Sequence, residues 1–166
     1  MVASGNLVVP VVLWGPKAPT HCISACLVTS DQRHLVTGCN DGQLIVWDIH
    51  DDVASVVPRI ILFGHTARIT CLARGSLHFH DKPYVVSSSD NGEMSLWDIS
   101  DGRCIEHTKS SVTHTFMKSY QLLSAPNEVS LFCCGHYPEI QVGVLGCLPC
   151  PSAVGIITRF KWAQCD

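Results

Sequence analysis

The chain reads as all-β, built from a repeated four-stranded unit, and three observations predict it. The first is a duplication with a 50-residue offset: Leu35-Val36-Thr37-Gly38-Cys39-Asn40-Asp41-Gly42-Gln43-Leu44-Ile45-Val46-Trp47-Asp48 is answered by Val85-Val86-Ser87-Ser88-Ser89-Asp90-Asn91-Gly92-Glu93-Met94-Ser95-Leu96-Trp97-Asp98. The second is the grammar of each copy: an apolar run, an Asx-Gly turn, and a second run closed by Trp-Asp. The third is the unbroken apolar stretch Leu44-Ile45-Val46-Trp47, which suits a strand covered on both faces. Units repeated at a fixed period bury their faces on one another. The expected fold is a partial β-propeller, with two complete four-stranded blades and an incomplete third.

The elements follow in order. Leu7–Trp14 is apolar and extended, and suits the strand that completes the last blade of a closed propeller. Blade one (residues 23–63) has expected strands at Ile23–Val28, His34–Cys39, Gln43–Asp48 and Arg59–Phe63. Blade two (residues 69–107) has them at Ile69–Ala73, Tyr84–Ser88, Glu93–Trp97 and Arg103–His107. Asp41-Gly42 and Asn91-Gly92 read as two-residue type I′ hairpin turns, which need positive φ. Thr113-His114-Thr115 resembles Gly64-His65-Thr66 and opens a partial third blade (residues 116–142). Its expected strands are Phe116–Leu123, Ser130–Gly135 and the start of one at Glu139–Val142. Residues 143–166 show no Trp-Asp, no Asx-Gly turn and no period, and are expected to be an unpatterned tail. About two and a half blades result, whereas propellers close with roughly four to eight.

Composition excludes several classes. Hydrophobic residues make up 46% of the 166 and charged residues 15%, which argues against disorder along the whole length. The net charge of −3 and scattered basic residues leave no electrostatic footprint for nucleic acid. Ten cysteines fall mostly inside strand-like runs, where a free thiol acts as a small hydrophobe. The start, Met1-Val2-Ala3-Ser4-Gly5-Asn6, lacks the basic flank of an export signal, so a cytosolic setting with reduced thiols is expected. No run approaches the roughly 18 apolar residues of a spanning helix. The usual nucleotide, hydrolase and protease signatures are missing, and no catalytic residue, cofactor or metal is expected.

The repeat resembles the WD40 blade. In that family a His after Gly, a Ser or Thr in the second strand, an Asp in the following turn and the third-strand Trp form one hydrogen-bonded chain. The resemblance implies His65, Ser87, Asn91 and Trp97 for blade two, with Asn91 in the Asp place. It implies Thr37, Asp41 and Trp47 for blade one. His21 lies two residues before Ile23, whereas His65 lies four before Ile69, so His21 is not assigned. These roles are structural: every donor finds an acceptor inside a packed blade.

Four strings carry a narrower resemblance: Leu13-Trp14-Gly15-Pro16-Lys17-Ala18-Pro19-Thr20-His21-Cys22-Ile23-Ser24, Leu62-Phe63-Gly64-His65-Thr66-Ala67, Gly92-Glu93-Met94-Ser95-Leu96-Trp97-Asp98 and Gly135-His136-Tyr137-Pro138-Glu139-Ile140. Over residues 7–142 they look like the N-terminal end of the beta-type rabconnectins. The resemblance implies a scaffold that partners alpha-type rabconnectin and vacuolar-ATPase subunits and regulates assembly of that proton pump. The implied setting is cytoplasmic, peripheral to synaptic or endolysosomal vesicle membranes. Against so long a family, the chain is expected to be an N-terminal fragment or truncated isoform. Its open faces and strand edges then predict aggregation, and a product without independent function is one alternative.

Two further patterns are weighed. Cys147-Leu148-Pro149-Cys150 is a C-x-x-C pair, the basis of an alternative reading as a small thiol-redox or metal-binding protein. It lies before Pro151 with no helix pattern after it, so an unpatterned tail is the plainer reading. His78-Phe79-His80-Asp81 offers two imidazoles but reads as an exposed loop before Lys82-Pro83.

Overall fold

The computed structural model describes residues 22–50, 55–75, 82–122, 129–147 and 154–157. Strands β1 (Ile23–Val28), β2 (His34–Cys39), β3 (Leu44–His50) and β4 (Ser55–Leu62) form one sheet in that order. Strands β5 (Ile69–Arg74), β6 (Tyr84–Ser89), β7 (Glu93–Asp98) and β8 (Arg103–Lys109) form a second. Strands β9 (His114–Gln121), β10 (Val129–Gly135), β11 (Tyr137–Cys147) and β12 (Val154–Ile157) form a third. Each sheet is an antiparallel meander, and the three are blades of an all-β partial propeller. Among the described residues no helix is long and apolar enough to cross a membrane.

The third blade extends beyond its expected end at residue 142. β11 continues to Cys147, and β12 pairs with it from Val144↔Ile157 to Cys147↔Val154. Residues 143–147 and 154–157 of the expected unpatterned tail are therefore strand. Backbone pairing with β10, as at Val129↔Leu145, carries β11 onward without the Trp-Asp and Asx-Gly marks that sequence reading relies on. β4 also begins at Ser55, four residues before the expected Arg59. Leu7–Trp14, His21, the His78–Asp81 cluster and Cys150 lie outside the described residues.

The two Asx-Gly turns differ from the expected type I′ form. Only the glycines are left-handed, Gly42 at φ 84° and Gly92 at φ 82°. The Gly42 N–H donates to Cys39 C=O at 3.3 Å, and the Cys39 N–H donates to Gln43 C=O at 2.9 Å. The loop is thus three residues, Asn40-Asp41-Gly42, ending in a left-handed glycine. Ser89 to Glu93 repeats it, with Gly92 N–H on Ser89 C=O at 3.0 Å. Room matters as much as φ here. A Cβ on Gly42 would lie 2.6 Å from the His65 carbonyl, and one on Gly92 would lie 2.4 Å from that of Ser110.

The cores sit between blades, which explains why β6 and β7 are buried on both faces. Val85 and Trp97 face the first blade, in a cluster with Val36, Val46, Leu62 and Ile69. Val86 and Leu96 face the third, with Cys71, Met117, Leu131 and Leu145. A Cβ on Gly38 would meet Ile69 Cγ2 at 2.4 Å, so the first two blades touch through that glycine. Cys22, Cys26, Cys39, Cys71, Cys104, Cys133 and Cys134 are free thiols. Burial above all pushes the Cys39, Cys71 and Cys133 thiols up to about 12, so they stay protonated and pack as small hydrophobes.

Candidate functional site

The expected polar chain is assembled in blade two, from three different elements. β7 supplies Trp97, β6 supplies Ser87, and the loop between β4 and β5 supplies His65. The Trp97 indole N–H donates to Ser87 Oγ at 2.8 Å, and Ser87 Oγ lies 2.6 Å from His65 Nε2. Ser87 Oγ accepts from Trp97, shares a hydrogen bond with His65 Nε2 and lies 3.5 Å from the Ser95 carbonyl. All three side chains are buried. A Cβ on Gly64 would stand 2.8 Å from the Trp97 ring, so the Gly-His pair brings the loop down onto the tryptophan.

The fourth partner differs from the expected one. Asn91 does not hold His65. Its Oδ1 accepts from Ser89 Oγ at 2.6 Å and from the Glu93 N–H at 3.2 Å, and its Nδ2 donates to Thr66 Oγ1 at 2.8 Å. The group facing His65 Nδ1 is the Glu93 carboxylate, at 3.5 Å. That is a charge–dipole contact longer than a good hydrogen bond, and Nδ1 has no hydrogen-bond partner among the described residues. Glu93 also accepts from the Thr66 N–H at 3.0 Å and from Thr66 Oγ1 at 2.9 Å. The physical reason is length: an amide in a tight turn closes on its own backbone, while the longer Glu93 side chain reaches the histidine loop.

These contacts set the charges. Burial lowers the affinity of His65 for a proton, and the Glu93 charge only partly offsets it. Burial would raise the Glu93 carboxyl, but the Thr66 and Asn91 hydrogen bonds and the His65 charge outweigh it and hold it at about 2. With His65 driven toward neutral, the Thr66 donors carry most of that effect.

Blade one repeats the chain in part. The Trp47 indole N–H donates to Thr37 Oγ1 at 2.8 Å. Asp41 does not join them; its carboxylate accepts the Gln43 N–H at 3.3 Å and closes the turn. Blade three departs from the expected equivalence of His114 with His65. His114 is the first residue of β9 and pairs with Gly135, as Ile69 pairs with Ser89 and Ile23 with Cys39. It is fully buried, and its Nδ1 lies 2.7 Å from the Tyr137 hydroxyl.

Two further sets of residues escaped sequence reading. Ser24, Thr70 and Thr115 each occupy the unpaired place where the first strand of a blade bulges against the second. The Thr70 and Thr115 hydroxyls donate to the carbonyls of Ser88 (3.1 Å) and Cys134 (3.4 Å), and that of Ser24 donates to the Ile69 carbonyl of the second blade (2.6 Å), with the Gly38 carbonyl at 3.1 Å. The signal was a hydroxyl in second place of each blade: Ile23-Ser24, Ile69-Thr70, His114-Thr115. The aspartates of the Trp-Asp pairs tie strand ends together. Asp48 pairs with His34 Nδ1 at 2.9 Å. Asp98 accepts from the Ser100 N–H at 3.0 Å and from the Ser100 hydroxyl, with Lys82 Nζ at 3.6 Å. Among the described residues no three His, Cys, Asp or Glu side chains are placed to hold a metal. The Cys147/Cys150 pair is not assembled among them, since Cys150 lies outside.

Comparison with known proteins agrees with this geometry. The WD40 family (WD domain, G-beta repeat) matches residues 13–48 and 57–98. The mouse WD repeat-containing protein 72 is 38% identical over 156 residues, covering 93% of the chain and 14% of the relative. The human protein of that name is 40% identical over 133 residues, covering 80% and 12%. The chain therefore spans about one seventh or less of the length of these relatives. Among solved structures, the beta-propeller domain of Myceliophteria thermophila Cps50 (Swd1) superposes with a TM-score of 0.57 at 15% identity, over 84% of this chain and 40% of that one. U3-55K superposes with a TM-score of 0.59 at 14% identity, over 76% and 37%. At such identities the likeness is one of fold.

Proposed function

Taking as premise that the chain is a WD40-repeat protein, we propose that it acts as a non-catalytic protein-interaction scaffold. The observation that carries this reading is the buried hydrogen-bonded chain Trp97–Ser87–His65. The Trp97, Ser87 and His65 side chains are buried and position a blade, and the Glu93 carboxylate accepts from Thr66. A surface of stacked blades is left to present loops and sheet faces to partners.

The finer reading is a regulator of vacuolar proton-pump assembly and vesicle acidification. It acts with alpha-type rabconnectin and pump subunits, in the cytoplasm and peripheral to synaptic or endolysosomal vesicles. The four strings that resemble beta-type rabconnectins support it. The match to WD repeat-containing protein 72 over most of the chain supports a place among large WD-repeat proteins. Affinity capture from vesicle extracts with the chain as bait tests it. Enrichment of alpha-type rabconnectin and pump subunits is expected, and recovery of neither sinks the finer reading.

A further inference from the structure

We propose that the seam between the second and third blades is an acid-sensitive joint, which parts when the buried His114 takes up a proton while the first two blades stay together. The inference concerns the fold itself and stands whichever partners the scaffold takes.

The two seams can be compared place by place through strand register. Ala25 pairs with Gly38 in blade one, and Cys71 with Ser88 in blade two. Ile69 pairs with Ser89 in blade two, and His114 with Gly135 in blade three. At the first seam Gly38 meets Ile69, so closely that a Cβ there would lie 2.4 Å from Ile69 Cγ2. The corresponding residues of the second seam are Ser88 and His114. A glycine–isoleucine contact is thus replaced by a hydroxyl toward an imidazole, both fully buried. Ser88 Oγ and His114 Nε2 have no hydrogen-bond partner among the described residues. The other ring nitrogen, Nδ1, lies 2.7 Å from the Tyr137 hydroxyl.

The groups around His114 bring it no counter-charge. From β5, Cys71 Sγ donates to the His114 carbonyl at 3.4 Å. β6 supplies Ser88, β10 supplies Cys133 and Cys134, and β11 supplies Tyr137. Burial above all raises the Cys71 and Cys133 thiols to about 12 and raises the Tyr137 phenol, so these stay neutral. Arg68 and Asp90, of opposite charge, share a backbone bond on the exposed loop whose Asp90 carbonyl accepts from Thr113 Oγ1 at 2.8 Å. His136 beside Tyr137 is exposed, and Glu139 follows on β11. Among the described residues no carboxylate lies within ion-pair distance of His114. His65, by contrast, faces Glu93 at 3.5 Å. An imidazolium buried without a partner is costly, and opening the seam gives it water. Burial lowers the proton affinity of His114 from the ordinary 6.5. The folded ring is neutral, so the closed seam is favoured above about pH 6.5 and loses ground as pH falls below it.

Cys71 and Cys133 lie in the apolar cluster at this seam, and Cys39 is buried in blade one. The full chain is held at about pH 7.5 or about pH 5, on either side of the histidine range. It is pulsed with dithiodipyridine, which labels thiols in mild acid, and read cysteine by cysteine by mass spectrometry. Each rate is divided by that of the exposed Cys26. On this scale we expect Cys71 and Cys133 to react at least about tenfold faster in acid, with Cys39 unchanged. Two neutral replacements should remove the acid step: His114→Ile, which copies the residue of the first seam, and His114→Gln, which keeps a polar group toward Tyr137. Equal rates at the two pH values, Cys39 rising in step with the other two, or an acid step that survives in either folded variant would overturn the proposal.

Discussion

Ser87→Ala is the sharpest test of how the blade holds together. The hydroxyl is fully buried and meets the Trp97 N–H at 2.8 Å and His65 Nε2 at 2.6 Å, with the Ser95 carbonyl at 3.5 Å. Removing it leaves a buried indole N–H and a buried imidazole nitrogen without partners, while the volume lost is small. Each stranded polar group costs about 1–3 kcal/mol, so a loss of about 2–4 kcal/mol is expected after partial relaxation. Thr37→Val in blade one is the control. It preserves volume and strands only the Trp47–Thr37 bond, so about 1–2 kcal/mol is expected. The assay is urea unfolding, with m compared to confirm that the states are otherwise the same. A double-mutant cycle with Trp97→Phe should show coupling of at least about 1 kcal/mol. A cost for Ser87→Ala below about 0.5 kcal/mol, or additivity in the cycle, would refute the reasoning.

Three other outcomes follow from the geometry. Burial lowers the proton affinity of His65 and His114, so the stability they confer is present above about pH 6.5 and is lost as pH falls below it. The Glu93 carboxyl, held at about 2, adds stability that is present above about pH 4.5 and fades toward pH 2. Screened by solvent, the Glu93 part is about 1–2 kcal/mol, and Glu93→Gln should flatten that acid limb of a melt-versus-pH series. Gly64→Ala drives a methyl to 2.8 Å from the Trp97 ring and should cost about 1–3 kcal/mol in thermal unfolding. In timed thiol labelling at pH 8, the exposed Cys22 and Cys26 should react first, and Cys39, Cys71 and Cys133 only on unfolding.

The first two blades were legible because their marks are local. Trp-Asp, Asx-Gly and the doubly apolar third strand all lie within one hairpin, so β2, β3, β6 and β7 could be read directly. The Trp47–Thr37 and Trp97–Ser87 bonds were legible for the same reason, since the partners face each other across adjacent strands. Glu93 was not, because its partner arrives from a loop 27 residues earlier, and spacing alone favoured Asn91. His114 misled through a local likeness to Gly64-His65-Thr66, whereas its place is fixed by pairing with Gly135. β12 was invisible because neither an Asx-Gly turn nor a Trp-Asp pair marks it.

Trp97, Ser87 and His65 hold the blade together rather than act on a substrate. Hydrogen exchange at the Trp47 and Trp97 indole nitrogens tests it most directly. Both protons should be strongly protected, and Ser87→Ala should abolish protection at Trp97 while sparing Trp47. Exchange at the rate of a free indole in the unaltered chain would contradict it.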